Sequence, residues 1–152
     1  MEVADFGLGD YPRQGAQIAT YVNTDRVGAK VICLLPGQTL PEHWHTAVGD
    51  DPGKEETLRV LYGALRLYLP GPDTLREGRM PRGKEDCYTC RQEVLLRATE
   101  QITLKPGVKH WLQGGEAGCV VWSISSAARC ALDPFTDPHI RRVPEIIEDE
   151  QA

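Results

Sequence analysis

His43 and His45 stand one residue apart in the stretch GQTLPEHWHTAVGDDPGKEETLRVLYG, residues 37–63. Successive side chains of a β-strand point to opposite faces, so in extended chain the two imidazoles point the same way. Counting back by twos from the alternating Leu58, Val60 and Tyr62 puts Glu56 and Lys54 on the apolar face and Glu55 on the other. A further histidine, His110, lies in KPGVKHWLQ, again among residues that read as strand. An inward carboxylate with apolar neighbours is costly unless a cation or hydrogen-bond donors satisfy it. Three imidazoles and a carboxylate are a ligand set for a divalent metal ion. Any one of these side chains alone would more often be a solvent-facing or hydrogen-bonded residue. Their convergence on one inner face is what predicts a metal centre at His43, His45, Glu56 and His110.

The elements that must position them are short and strand-like. β-branched and apolar residues predict strands over 17–22 and 30–35, then the histidine strand after the turn at Pro36-Gly37. Residues 58–62 and 65–69 read as two strands joined by a tight turn at Gly63-Ala64. Residues 71–85, rich in Pro, Gly and charge, read as a long loop. Strands are expected over 92–97, 101–104, 110–113 and 119–124, with a turn at Pro106-Gly107. No amphipathic helix of three turns is evident; residues 127–132 are the best short candidate. Many short strands in one chain predict an all-β antiparallel barrel or sandwich. Residues 1–15 read as an irregular arm. Residues 126–152 carry Phe135, Ile140, Val143, Ile146 and Ile147, too many apolar side chains for a free tail. This segment is expected to pack along the barrel wall and bring some of its acids to the barrel mouth.

Bulk properties narrow the function classes. At 152 residues the chain suits one domain, here taken as 1–152. A net charge of −5 with no basic block argues against nucleic acid as a partner. No apolar run approaches the ~20 residues of a membrane span, and MEVADFGLGD lacks a signal-peptide pattern. Cys33, Cys87, Cys90, Cys119 and Cys130 are odd in number and scattered, which fits free thiols in a reducing compartment. The single Cys87-Tyr-Thr-Cys90 motif has no second pair and no thioredoxin-like context. The expectation is a cytoplasmic protein.

Several of these features together resemble the cupin superfamily. Gly37, QTLPE, His-Trp-His, and then Glu56 leading through TLRVLY to Gly63 are similar to the first cupin motif; Pro106-Gly107, two residues and His110 are similar to the second. The spacer TAVGDDPGKE between His45 and Glu56 is longer than the three or four residues usual there, and Gly114 stands where an Asn is usual. That spacer, the VLYGALRLYLPG stretch and the ending SISS…FTDPHIRRVPEIIEDE resemble the D-lyxose ketol-isomerase family of cupins. The resemblance implies a small jelly-roll barrel, usually dimeric, with manganese at the positions of His43, His45, Glu56 and His110. It implies interconversion of D-lyxose and D-xylulose, often with D-mannose and D-fructose as well. The proton-transfer groups it implies are Lys54 and an acid of the C-terminal segment, Glu148, with Glu145, Asp149 and Glu150 crowded beside it.

This constellation suits the chemistry. Aldose–ketose isomerisation moves a proton between C2 and C1 through an enediol, and a divalent ion that binds O1 and O2 takes up the developing charge. His and carboxylate ligands accept Mn, Fe, Co, Ni or Zn alike, so ligand type does not select the metal. A carboxylate such as Glu148 can carry the proton if its pKa is raised, and Lys54 can exchange a proton with a substrate hydroxyl. Trp111, Phe135 and Tyr62 are candidates for an apolar floor under the sugar. A cupin dioxygenase with a similar iron site, and a sugar-binding cupin without activity, are the competing readings. Lys54 together with an acid over the metal favours the isomerase. The apolar strands over 17–22 and 30–35, with Ile18, Val31 and Ile32, are expected to form open edges that a second copy covers.

Overall fold

The computed structural model describes residues 1–143. The acids Glu145, Glu148, Asp149 and Glu150, together with Ile146 and Ile147, lie outside the described residues. Eight strands follow in order: β1 (Glu2–Ala4), β2 (Ala16–Asn23), β3 (Gly28–Leu34), β4 (Thr39–His43), β5 (Glu56–Leu69), β6 (Gln92–Arg97), β7 (Gln101–Leu104) and β8 (His110–Ser125). All named strand pairs are antiparallel, in the order β1-β2-β3-β8-β5-β6, with β4 also on β8 and β7 also on β5. The only helical turns among the described residues are two 3-10 turns, Glu85–Cys87 and Cys130–Leu132. The fold is all-β, as the sequence predicts, and Glu2–Ala4 of the expected arm is a strand paired with β2.

Two long strands organise the barrel, and here the sequence reading needs correction. The expected turn at Gly63-Ala64 does not exist: β5 runs straight through it, and the strands expected over 110–113 and 119–124 are likewise one strand, β8. The first half of β5 lies between β7 and the second half of β8. Its second half lies between β6 and the first half of β8. The two halves can change partners because bulges interrupt the β5–β8 ladder between Val60 and Tyr62 and between Gly63 and Leu65. Gly63 and Gly118 occupy the bend with φ of 71° each, a region open to glycine without steric cost. A Cβ on Gly63 would lie 2.1 Å from the carbonyl oxygen of Gly118, and one on Gly118 would lie 2.5 Å from that of Leu34. Gly63 is thus a bend within one strand where the sequence predicts a turn between two.

The core inside the barrel includes Ile18, Ile32, Leu58, Val60, Leu65, Leu67, Leu112 and Val121. Side chains of this kind stabilise by roughly 1.5–3 kcal/mol each when fully buried. Because Ile18 and Ile32 belong to this core, they are not available to a partner. Strands β2 and β3 are also interior to the sheet order, so they are not the open edges expected of them. A second cluster, Tyr68, Tyr88, Cys90 and Trp111, packs apart from the first. Segment 134–143 lies against the barrel as expected: Trp44 N–H donates to Pro134, Thr136 N–H to Glu42 and Arg141 N–H to Phe6.

Gly63→Ala should lower stability by about 2 kcal/mol or more, since it combines left-handed strain with a backbone collision. Gly37→Ala, also at positive φ but with no atom within 4 Å of the new Cβ, should cost only about 1 kcal/mol. Urea unfolding of the two variants checks the difference; equal losses would show that the bend at Gly63 is not a close approach.

Candidate metal centre

His43 closes β4 and is the ladder partner of His110, the first residue of β8. His45 lies two residues past the end of β4, outside the strand expected for it. The three imidazoles nevertheless meet. Ring centroids are 4.4 Å apart for His43 and His110, 5.1 Å for His43 and His45, and 5.3 Å for His45 and His110. One ring nitrogen of each lies within 4.8 Å of the other two, and all three side chains are buried.

The hydrogen bonds around the rings decide which nitrogens face inward. His43 Nδ1–H donates to the carbonyl of Pro41 at 2.8 Å, and His110 Nδ1–H to that of Val108 at 2.9 Å. His45 Nδ1 faces Asp133 Oδ1 at 3.0 Å, an ion contact out of line for a hydrogen bond. Each Nδ1 thus faces an acceptor, which leaves each Nε2 for the interior. Such partners fix tautomer and ring orientation in metal-binding histidines. Burial, with His110 and His45 adjacent, holds the His43 pKa well below the usual imidazole range. Burial likewise brings His110 down to about 4. Both rings are therefore neutral, with their lone pairs free.

Glu56 opens β5 and lies beside the three histidines, in contact with His45. It is 3 % exposed. Its Oε2 lies 3.0 Å from His45 Nε2, and its Oε1 takes the Lys54 ammonium at 2.9 Å and the Ser123 hydroxyl. Burial alone would raise its pKa, but Lys54, His45 and Lys30 more than offset this and hold the carboxyl well below its ordinary range. For His45 burial acts downward, and the Asp133 and Glu56 carboxylates reverse it, so its pKa rises. His45 Nε2 thus meets Glu56 across the place a cation would take, and any proton held there is displaced when a cation binds. The donor set therefore fits a divalent ion: two neutral imidazoles, a third whose proton is displaceable, and a carboxylate already ionised.

Of the other residues singled out in the sequence, Lys54 and Phe135 line the pocket at the three histidines, and Phe135 lies 5.5 Å from His43. Trp111 does not. As the neighbour of His110 in β8 it points to the opposite side, where it stacks on Tyr68 at 3.6 Å and donates to the Cys90 carbonyl. Tyr62 is 59 % exposed on the outer face of the barrel. The bulge after Val60 adds a residue, which reverses the alternation and turns Tyr62 away from the face shared by Leu58 and Val60. The apolar floor expected from three aromatic residues rests on Phe135, with Phe6 at 5.7 Å from it.

Four residues of the site were not foreseen: Lys30, Ser123, Asp133 and Arg142. Lys30 shares the inward register of Ile32 in β3, so alternation could have found it. Its ammonium donates to Cys130 Sγ at 3.3 Å. Burial opposes its charge, but Glu56, Cys130 and Asp133 keep it protonated. Ser123 alternates with Val121 along β8 and was equally legible. Asp133 and Arg142 come from irregular chain with no periodicity to read. The space between the histidines and Lys54 is small, about 30 Å³. A cavity of about 330 Å³ shares Ile18, Lys30, Cys130 and Arg142 as walls and adds Thr20 and Asn23.

No family model matches the chain. Among curated proteins, it is 48 % identical to a D-lyxose ketol-isomerase of Cohnella laeviribosi over 151 residues, covering 99 % of this chain and 83 % of that protein. It is 49 % identical to a D-lyxose/D-mannose isomerase of Thermosediminibacter oceani over 147 residues, covering 96 % and 81 %. The fold is similar to that of the L-ribose isomerase of Cellulomonas parahominis in its L-ribose complex, with a TM-score of 0.73 at 17 % identity over 91 % of this chain and 81 % of that one. A cupin superfamily protein of Desulfitobacterium hafniense gives a TM-score of 0.52 at 11 % identity over 74 % and 78 %. With a cupin barrel and nearly its whole length matched at close to half identity, the chain belongs to the D-lyxose ketol-isomerase family.

Proposed function

We propose that the protein is a metal-dependent aldose–ketose isomerase that interconverts D-lyxose with D-xylulose and D-mannose with D-fructose. The observation that carries this reading is the meeting of three buried imidazoles, one of which, His45, lies 3.0 Å from a Glu56 carboxylate that also holds the Lys54 ammonium at 2.9 Å. His43, His45, Glu56 and His110 are the ligands, and manganese is the ion implied by the family, with cobalt, iron, nickel or zinc compatible with the same donors. When bound, the ion supplies polarisation of a carbonyl oxygen and a counter-charge for an enediolate.

The protein's own groups do the rest. Lys54 is held in the pocket by Glu56 and is placed to donate a proton to, or accept one from, a substrate hydroxyl. Glu148, six residues after the wall residue Arg142, is our choice for the base that carries the proton between C2 and C1. Lys30, Asn23 and Thr20 line the adjoining cavity with donors and acceptors suited to the far hydroxyls of an open-chain sugar. Phe135 supplies an apolar face for its C–H groups. A dioxygenase has no use for Lys54 beside the ligand carboxylate, which is why the isomerase reading is preferred.

We also propose a homodimer, seated on the outer face of β3, β8 and β5. There Trp122 is flanked by Val31 and Arg59, Ile124 by Ala29 and Thr57, and Val120 by Cys33 and Tyr62. Trp122 is 40 % exposed and Ile124 and Tyr62 are exposed too, an apolar stripe of the kind that marks an interface. The five cysteines are free thiols, and we place the protein in the cytoplasm, where thiols remain reduced. Among the described residues no helix is long and apolar enough to cross a membrane.

Four measurements test these assignments. Glu56→Gln should lose bound metal, and Asp133→Ala should weaken metal affinity by roughly 10–100-fold by freeing the His45 ring; metal analysis after dialysis against a weak chelator checks both, and unchanged content would remove these residues from the centre. Lys54→Ala and Glu148→Gln should keep their metal yet lose on the order of 10²–10⁴ in turnover of D-lyxose or D-mannose. In heavy water the wild-type reaction should place deuterium at C2 through a solvent-exchanging base. Absence of any ketose product would refute the isomerase, and absence of deuterium would point to hydride shift. Trp122→Arg should convert a dimer to a monomer in light scattering, whereas a wild-type monomer at micromolar concentration would refute the interface.

A further inference from the structure

The other end of β4 carries a site that the isomerase reading does not use. An open cleft of about 840 Å³ is walled by Thr39, Gln113 and the loop 76–82, and five arginines line it: Arg13, Arg66, Arg76, Arg79 and Arg82. Two are already paired, Arg13 with Asp10 at 2.9 Å and Arg66 with Glu77 at 2.9 Å. Arg76, Arg79 and Arg82 have no carboxylate within ion-pair distance among the described residues, and the only other acid in the wall is Glu116. Three unpaired arginines on a chain of net charge −5 are a local reversal of the protein's own field.

The loop that carries them is tied down. Glu93 Oε2 accepts the N–H groups of Arg76, Glu77 and Gly78 at 3.3, 3.4 and 3.1 Å and the Tyr68 hydroxyl at 3.1 Å. Gln113 accepts the Arg79 N–H at 3.0 Å and donates to the Arg79 carbonyl at 2.7 Å and to Thr39 Oγ1 at 2.9 Å. Gly78 is required there, since a Cβ would fall 1.5 Å from Tyr68 Oη. Arg76 and Arg79 of RxxRxxR are thus presented from fixed backbone, and with Glu77 taken up by Arg66 the three arginines that line this cleft favour an anion. The planar guanidinium matches oxyanion geometry bidentately. Three unpaired forks exceed what one carboxylate can take up, whereas a phosphate offers three oxygens.

We propose that this cleft binds a phosphorylated small molecule, its phosphate held by Arg76, Arg79 and Arg82. The site is separate from the metal centre: Thr39 and His43 are the two ends of β4, about 13 Å apart at ~3.3 Å per residue. The test is calorimetric titration of the full-length, metal-loaded protein with inorganic phosphate, a hexose 6-phosphate, a nucleoside monophosphate and an unphosphorylated hexose. At least one phosphorylated probe should bind saturably with one site per chain. Substituting Arg76, Arg79 and Arg82 together by Ala should weaken it by about 100-fold or more, at about tenfold per charged hydrogen-bonding group. Arg79→Lys should retain part of the affinity. All three side chains are exposed, so melting temperature and metal content should not move. A hexose phosphate bound more tightly than inorganic phosphate identifies a sugar phosphate as the ligand class, a nucleotide preference identifies a nucleotide, and equal affinities identify free phosphate. Absence of saturable binding by every phosphorylated probe would overturn the proposal, as would binding that survives the triple substitution. So would an oligonucleotide that outcompetes every small probe with an affinity that grows with its length, which marks a polyanion surface instead. None of these results bears on the isomerase reading.

Discussion

The structure turns on one buried carboxylate. Glu56 lies inside a β-barrel whose other inward residues are largely apolar, and an ion taken out of water there costs several kcal/mol before compensation. Lys54, Ser123 and His45 all converge on its two oxygens, and Lys30 adds positive charge from the facing strand. Each of these partners must then be placed by an element of its own: β3, β8, the end of β4 and the spacer before β5. Removing any one of them leaves the carboxylate or a cation unpaired in the interior. A carboxylate that is ionised, desolvated and only partly saturated by protein donors is also what a divalent cation seeks. The interaction that constrains the fold and the one that defines the site are therefore the same.

The β5–β8 ribbon makes that convergence possible. A flat antiparallel pair of such length could not place Glu56 opposite β3 and Tyr68 under the loop 71–91 at once. The bulges around Gly63 let the ribbon serve both walls: its first half brings Glu56 and Ser123 to the metal pocket, and its second half carries His110 to that pocket and the Tyr68–Trp111 stack on the opposite face. The same bulges set which aromatic residues meet the pocket. Trp111 and Tyr62 are excluded by alternation and by a reversed register, while Phe135 enters from a segment that is not a strand.

Two further carboxylates do for the covering segments what Glu56 does for the site. Glu42, next to His43 and pointing the other way, accepts from Thr89 and Thr136 and from the Cys90 N–H, and so fixes the loop before β6 and the C-terminal segment to β4. Glu93 gathers three N–H groups of the arginine loop. Segments without periodicity are thereby ordered by side chain to backbone bonds. The C-terminal segment reaches the metal pocket with Asp133, Phe135 and Arg142 because Glu42 and Phe6 hold it in place.

The sequence by itself determined the all-β class, the inward face of the first half of β5 with Glu56, Leu58 and Val60, and the meeting of His43, His45 and His110. These follow from a period-two pattern that short-range sterics impose wherever the chain is extended. Lys30 and Ser123 obey the same pattern and were there to be read. Tertiary structure decided the rest. The Gly63 bend looks like a turn locally, and only the Gly118 carbonyl packed against it shows that the strand continues. The bulge that turned Tyr62 outward depends on the register against β8, which no local rule contains. Asp133 behind His45, the neutral state of two imidazoles and the three unpaired arginines depend on distances between segments far apart in the chain. Those distances are set by packing and by buried charge, and spacing along the sequence carries no record of them.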